Sequence, residues 1–252
     1  MAFNFKIRYA LASIASLLLI GCASPPKKNV QVIVPNDPWW DAAISSTDPD
    51  TRNLAQVRQG ILRVSDRPFN LGTTSDTEIN AYAVIENGQP LIVMTTGFLG
   101  EFGNDQDVLA SVMGHELAHH QFGHTQPGYL ENRNTAVQAL STTVGMISSF
   151  FIPFSGLITG NAIKAAGLSY SRDDERDADL LGMQWAISAG YSPCGSYRFA
   201  QRLDALNKGA TITLLSTHPG HSERMDNASK LNMHSGGGGC QPLAPPVLKS
   251  PA

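Results

Sequence analysis

The chain has 252 residues, 15% of them charged and 42% hydrophobic, with a formal net charge of −3. That balance suits a compact chain of one domain, and nothing in it suggests a nucleic-acid partner. No internal repeat is evident.

At the N-terminus Lys6 and Arg8 precede an apolar stretch from Tyr9 to Ile20, and then Leu19-Ile20-Gly21-Cys22. The run is too short to span a bilayer as a stable helix. A small residue before Cys is the processing pattern of a lipoprotein signal peptide over residues 1–21, leaving Cys22 as the lipidated N-terminus. An uncleaved anchor is the alternative. Ala23 and Ser24 follow the cysteine where an Asp would signal retention, and in this they resemble bacterial lipoproteins sorted to the outer membrane. The expectation is therefore a lipid-anchored protein facing the periplasm of a Gram-negative cell. Residues 22–38 are rich in Pro, Lys and Asn and read as a flexible tether, with the folded domain over 39–234.

Within that domain, Ile79-Asn80-Ala81-Tyr82-Ala83 and the run from Pro90 to Gly97 alternate or carry β-branched residues, and Asn87-Gly88 between them is a turn signal. They predict a hairpin. Its outer strand either pairs with an extended substrate backbone or is purely structural.

Asn104 is placed to cap the next helix, with Asp105 and Asp107 in its first turn, and Val108, Leu109, Val112, Met113 and Leu117 recur at helical spacing up to a stop at Gly123. This helix carries His115-Glu116-Leu117-Ala118-His119. Residues four apart share a helix face, so His115 and His119 can aim ring nitrogens at one metal ion. Glu116, rotated round from them, does not ligate; it is positioned to take a proton from the attacking water and return it to the leaving amine. A catalytic zinc takes three protein ligands, so a third lies elsewhere. His124 is one candidate, but Gly123 and His124 come four and five residues after His119, the wrong register for a metzincin, and it reads as a helix-end residue or one supporting a ligand. The other candidate is Glu175 in Ser169-Tyr170-Ser171-Arg172-Asp173-Asp174-Glu175-Arg176-Asp177-Ala178-Asp179, which opens a helix running to about Gly190. Glu175 and Asp179 share a face, so Glu175 can bind the metal while Asp179 accepts the free ring N–H of a ligand histidine. An ordinary charged helix start is the alternative.

Between these helices, Val144 to Leu168 is strongly apolar but broken by Pro153, Gly156 and Gly160, so it is not a clean transmembrane helix. A lid, a membrane-dipping patch and plain core all remain open. Further on, Ser192 and Pro193 start another helix, and Cys194 and Cys240 form a candidate disulfide once Cys22 takes lipid. His218, held extended by Pro219, is a surface-loop residue, an oxyanion donor, or a blocking ligand in the metal's open position. Arg224, on a helix that Ser222 can cap, is placed to pair with a site carboxylate. Ser235 to Ala252 holds four consecutive glycines and several prolines and reads as a disordered tail.

His-Glu-x-x-His, a Glu-x-x-x-Asp helix some way downstream, and Thr217-His218-Pro219 with Arg224 together resemble the HtpX-like and CaaX-prenyl-protease-like zinc metallopeptidases, over roughly Thr77 to Leu231. Soluble bacterial periplasmic members are the most similar. The resemblance implies a mainly helical α+β, zincin-like domain with a small sheet, and one zinc per chain held by His115, His119 and Glu175. It also implies Glu116 as general base, Asp179 as the carboxylate behind a ligand, and a substrate-bordering strand with Asn80 and Tyr82. Membrane-anchored members carry spanning helices near residues 144–168, so a helical hairpin over the cleft is the analogous reading there. The activity implied is endoproteolysis of unfolded or misassembled envelope proteins. A chaperone or assembly factor for outer-membrane proteins, working with their assembly machinery while proteolysis stays latent or secondary, is the alternative. A metal-storage protein has no need of Glu116 between its ligands.

Overall fold

The computed structural model describes residues 30–33, 36–129, 170–206, 214, 218 and 221–241. The leader, Cys22, the apolar segment 144–168 and the last residues of the tail lie outside them. Among the described residues no helix is long and apolar enough to cross a membrane.

The elements run β1 (Val30–Ile33), α1 (Trp39–Ile44), α2 (Pro49–Ser65), β2 (Asn70–Thr74), β3 (Ala81–Glu86), β4 (Gln89–Thr95), α3 (Thr96–Phe102), α4 (Gln106–Gln121), α5 (Arg172–Ser188), α6 (Cys194–Leu206) and α7 (His221–His234). The described residues make one four-stranded sheet, ordered β1-β2-β4-β3. Its β2–β4 pair is parallel and the others antiparallel. The architecture is mainly helical α+β, as the resemblance implied.

The hairpin is β3 and β4, joined by Asn87 and Gly88 at φ 49° and 76°, the left-handed pair that a tight two-residue hairpin demands. Its second strand stops at Thr95. The hydroxyl of Thr95 accepts from the Phe98 backbone N–H at 3.0 Å and so caps α3; Gly97, expected at the strand end, lies in that helix. β4 is buried on both faces. Ile92 and Met94 enter the main core with Phe98, Leu109 and Met113, while Leu91 and Val93 meet Tyr82 in a smaller cluster. β1 falls within the expected tether. Its alternating Val-Gln-Val-Ile pairs with β2 from Val30↔Thr74 to Ile33↔Leu71, because β-branched residues at this spacing fit a pleated edge.

Helix α4 is the axis of the molecule, with every residue from Val108 to His120 buried. Its cap is Asp105 rather than Asn104: Asp105 has extended backbone, and its carboxylate accepts from the N–H groups of Asp107 and Val108 at 3.1 Å. Gly123, at φ +75°, ends the turn as expected. Helix α6 packs onto the start of α4, where Arg198 reaches both Asp105 oxygens at 2.7 Å and Asp107 at 3.0 Å. Ser222 lies inside the first turn of α7, one residue after its start, rather than ahead of it.

Candidate metal centre

His115 and His119 sit on one face of α4, as their spacing requires, and the crossing helix α5 brings a carboxylate to them. Ser171 caps α5 through a reciprocal box with Asp174, so Glu175 falls in the first turn, facing α4. Its Oε1 lies 3.3 Å from His119 Nε2, and its Oε2 lies 3.5 Å from His115 Nε2. The two Nε2 atoms are 3.1 Å apart. His218 adds a fourth donor, with Nδ1 3.0 Å from Glu175 Oε1 and 3.2 Å from His115 Nε2. One ligand atom from each of His115, His119, Glu175 and His218 lies within 4.8 Å of the others, and all four residues are buried. His218 is therefore not a surface-loop histidine.

The opposite ring nitrogens are held in turn. Asp179 Oδ1 accepts from His115 Nδ1 at 2.8 Å. Arg224 donates Nε to Asp179 at 2.8 Å and Nη2 to Glu175 Oε2 at 3.1 Å, tying together the two carboxylates whose spacing suggested a shared face. Burial alone would raise both acids. The Arg224 charge and the His115 hydrogen bond hold Asp179 below its usual range, while His218 and His115 hold Glu175 well below it. Burial drives the His119 imidazole down to about 3, so it is a neutral ring with a lone pair to offer.

These residues fit a cation. Because Asp179 can only accept, His115 carries its proton on Nδ1 and presents a lone pair at Nε2. That lone pair, the Nε2 of His119 and the Glu175 carboxylate converge on one point, a set of nitrogen and oxygen donors suited to zinc. Glu116 stands beside them, 1% exposed. Its Oε1 is 3.8 Å from His218 Nε2, and its Oε2 is buried with no hydrogen-bond partner among the described residues. A narrow pocket at this point is lined by Val112, Phe199 and Leu214 together with Ser111, Ser196, Glu116 and His218.

Asn80 and Tyr82 are not in the cluster. Tyr82 lies on the edge strand β3, packed on Leu91 and Val93, and Asn80 stands just ahead of that strand with its Oδ1 buried and unpartnered. Cys194 and Cys240 are joined, which pins residue 240 of the glycine-rich tail to α6. Three contributors were missed in the sequence. Tyr170 stacks on His119 at 3.9 Å and 17°. Gly114 and Gly182 set the α4–α5 approach, and a glycine in mid-helix, which each of them is, was the local oddity that could have marked it.

Residues 49–232 match the profile of Peptidase family M48. The chain belongs to peptidase family M48. It is 31% identical over 142 residues to the mitochondrial metalloendopeptidase OMA1 of Arabidopsis thaliana, covering 56% of this chain and 28% of that one. It is 28% identical over 176 residues to the metalloprotease YcaL of Escherichia coli K12, covering 69% of this chain and 66% of YcaL. With the beta-barrel assembly-enhancing protease of the same organism it shares 26% identity over 171 residues, covering 64% of this chain and 34% of the relative. The chain thus spans from about a quarter to two thirds of the length of these curated relatives. In this M48 domain the His-Glu-x-x-His helix and the α5 carboxylates meet as the family resemblance implied.

Proposed function

We propose that this protein is a zinc-dependent endopeptidase anchored by lipid on Cys22 to the outer membrane and facing the periplasm, where it degrades unfolded or misassembled envelope proteins. The observation that carries the catalytic part is the convergence of three buried ligands on one point beside the unpartnered carboxylate of Glu116. His115, His119 and Glu175 would hold the ion. When bound, zinc lowers the pKa of a water molecule to about 7 and polarises a carbonyl. Glu116 takes the proton of the attacking water and delivers it to the leaving amine. Asp179 keeps His115 protonated on Nδ1, and Arg224 holds Asp179 and Glu175 in register. The edge strand β3 with Tyr82, and Asn80 just ahead of it, offers an extended substrate a backbone partner. The lipid anchor and sorting rest on Gly21-Cys22-Ala23-Ser24, and the envelope substrates on similarity to the beta-barrel assembly-enhancing protease.

A second reading is favoured by one observation: His218 lies among the ligands rather than beside them. In that position it fills the site's open position and keeps the enzyme latent, leaving a chaperone or assembly role in the foreground and a partner in the outer-membrane assembly machinery. Turned outward, the same ring donates to the developing oxyanion.

The deciding experiment is degradation of an unfolded protein by residues 23–252, zinc-loaded, beside Glu116→Gln with its metal content checked. Cleavage by the parent and none by a zinc-replete variant supports the peptidase. If neither cleaves while each holds one zinc, the latent reading takes over, and His218→Ala is expected to release activity.

A further inference from the structure

Five residues beyond the second histidine of the motif, His124 is buried and its backbone N–H donates to the His119 carbonyl at 2.9 Å. Gly123, at φ +75°, turns the chain back at the helix end and brings the His124 ring against that of His119. Their Nδ1 atoms are 3.0 Å apart. One of the two must carry a proton for this contact to be attractive. His119 presents Nε2 to the donor cluster, and an imidazole that offers Nε2 to a cation keeps its proton on Nδ1. His119 therefore donates and His124 Nδ1 accepts. That leaves the proton of a neutral His124 on Nε2, which faces Asp174 Oδ1 at 3.6 Å. The same oxygen accepts from the Tyr129 hydroxyl at 2.8 Å, and Asp174 Oδ2 accepts from the Ser171 N–H at 3.0 Å, closing the capping box of α5.

Resting on the metallopeptidase reading of the site, we propose that His124 is a positioning residue that fixes the tautomer and ring plane of His119, with the nearby Asp174 carboxylate favouring a proton on His124 Nε2 electrostatically. Both ligand histidines of α4 are then supported from α5: His115 directly by its hydrogen bond to Asp179, His119 through His124 with the Asp174 carboxylate behind it. Asp174 precedes Glu175, so the carboxylate that closes the capping box of the ligand-bearing helix also lies behind the histidine that touches the opposite ligand. Tyr170, stacked on a face of the His119 ring, completes the clamp.

The test is zinc competition against a chelating dye for the whole protein and two variants. His124→Phe keeps an aromatic ring but removes the acceptor; His124→Asn places an amide oxygen where Nδ1 stood. A loss of about 10- to 100-fold in zinc affinity for Phe, with Asn close to the parent and zinc-free melting unchanged, is expected. Phe retaining parental affinity, or Phe and Asn falling together, overturns the proposal in favour of packing. Should the variants fail to fold, long-range proton–nitrogen correlation spectra of the histidine-labelled parent decide: His119 protonated at Nδ1 and His124 at Nε2 supports it, and His124 protonated at Nδ1 overturns it. A parent that binds no zinc defeats the metallopeptidase reading instead, and the spectra still judge the hydrogen bond.

Discussion

Gly114 of α4 and Gly182 of α5 cross in backbone contact. A Cβ on Gly114 would lie 2.6 Å from the Gly182 carbonyl oxygen, and one on Gly182 would lie 2.6 Å from the His115 backbone nitrogen. The closeness of this crossing lets Glu175 reach both histidines.

Gly182→Ala gains up to about 1 kcal/mol of helix propensity, but its methyl overlaps backbone that cannot swing aside, at a cost of about 1–3 kcal/mol. Net destabilisation in urea and weaker zinc binding are expected together. Gly100→Ala is the contrast. It lies in α3 with nothing within 4 Å of its Cβ, so the propensity gain stands and stability rises by about 0.5–1 kcal/mol.

Removing Arg224 separates ligand orientation from bulk stability. Arg224→Met leaves buried Glu175 and partly buried Asp179 without their shared cation, a loss of about 3–5 kcal/mol in zinc-free protein. Saturating zinc supplies positive charge beside Glu175, so denaturation with and without the metal should show a smaller deficit in the loaded form. Equal deficits in both forms would contradict the bridging role.

His120 faces away from the donor cluster; its Nε2 donates to the Leu91 carbonyl at 3.2 Å and its Nδ1 accepts from the Thr125 hydroxyl at 2.8 Å. Burial lowers this ring from 6.5 to about 4. Between those values the unfolded chain binds a proton that the folded one refuses, so stability is fullest above the unfolded pKa and falls as pH drops towards 4. Urea denaturation of zinc-free protein across that window should show a steeper decline for the parent than for His120→Gln.

The Cys194–Cys240 bond closes a span of 46 residues containing α6 and α7. In the chain-entropy picture its loss costs about 2–5 kcal/mol. Reductant should lower the melting temperature of the parent and leave Cys194→Ser with Cys240→Ser unmoved.

Much of the site was legible because its signals are local. The hairpin was marked by Asn87-Gly88, and the α4 motif by helical spacing. Boundaries failed where neighbouring residues compete for one job: Asp105 caps α4 in place of Asn104 because two backbone N–H groups reach its carboxylate. β1 was lost among tether-like residues, since a short edge strand is specified by its partner β2 more than by its own four residues. Helices α1 to α3 were not anticipated at all.

His-Glu-x-x-His by itself determined that two imidazoles share a helix face with a carboxylate beside them, because the α-helical repeat is the same in any protein. Residue spacing in Glu175-x-x-x-Asp179 likewise determined one face of α5. Only the tertiary structure decided that these two faces meet, that His218 joins them from a loop, and that His124 turns back onto His119. Such contacts depend on the Gly114–Gly182 crossing and on the reversal at Gly123, where the absence of a side chain lets backbones approach or turn. Short-range periodicity carries no record of which distant segment will fill that space.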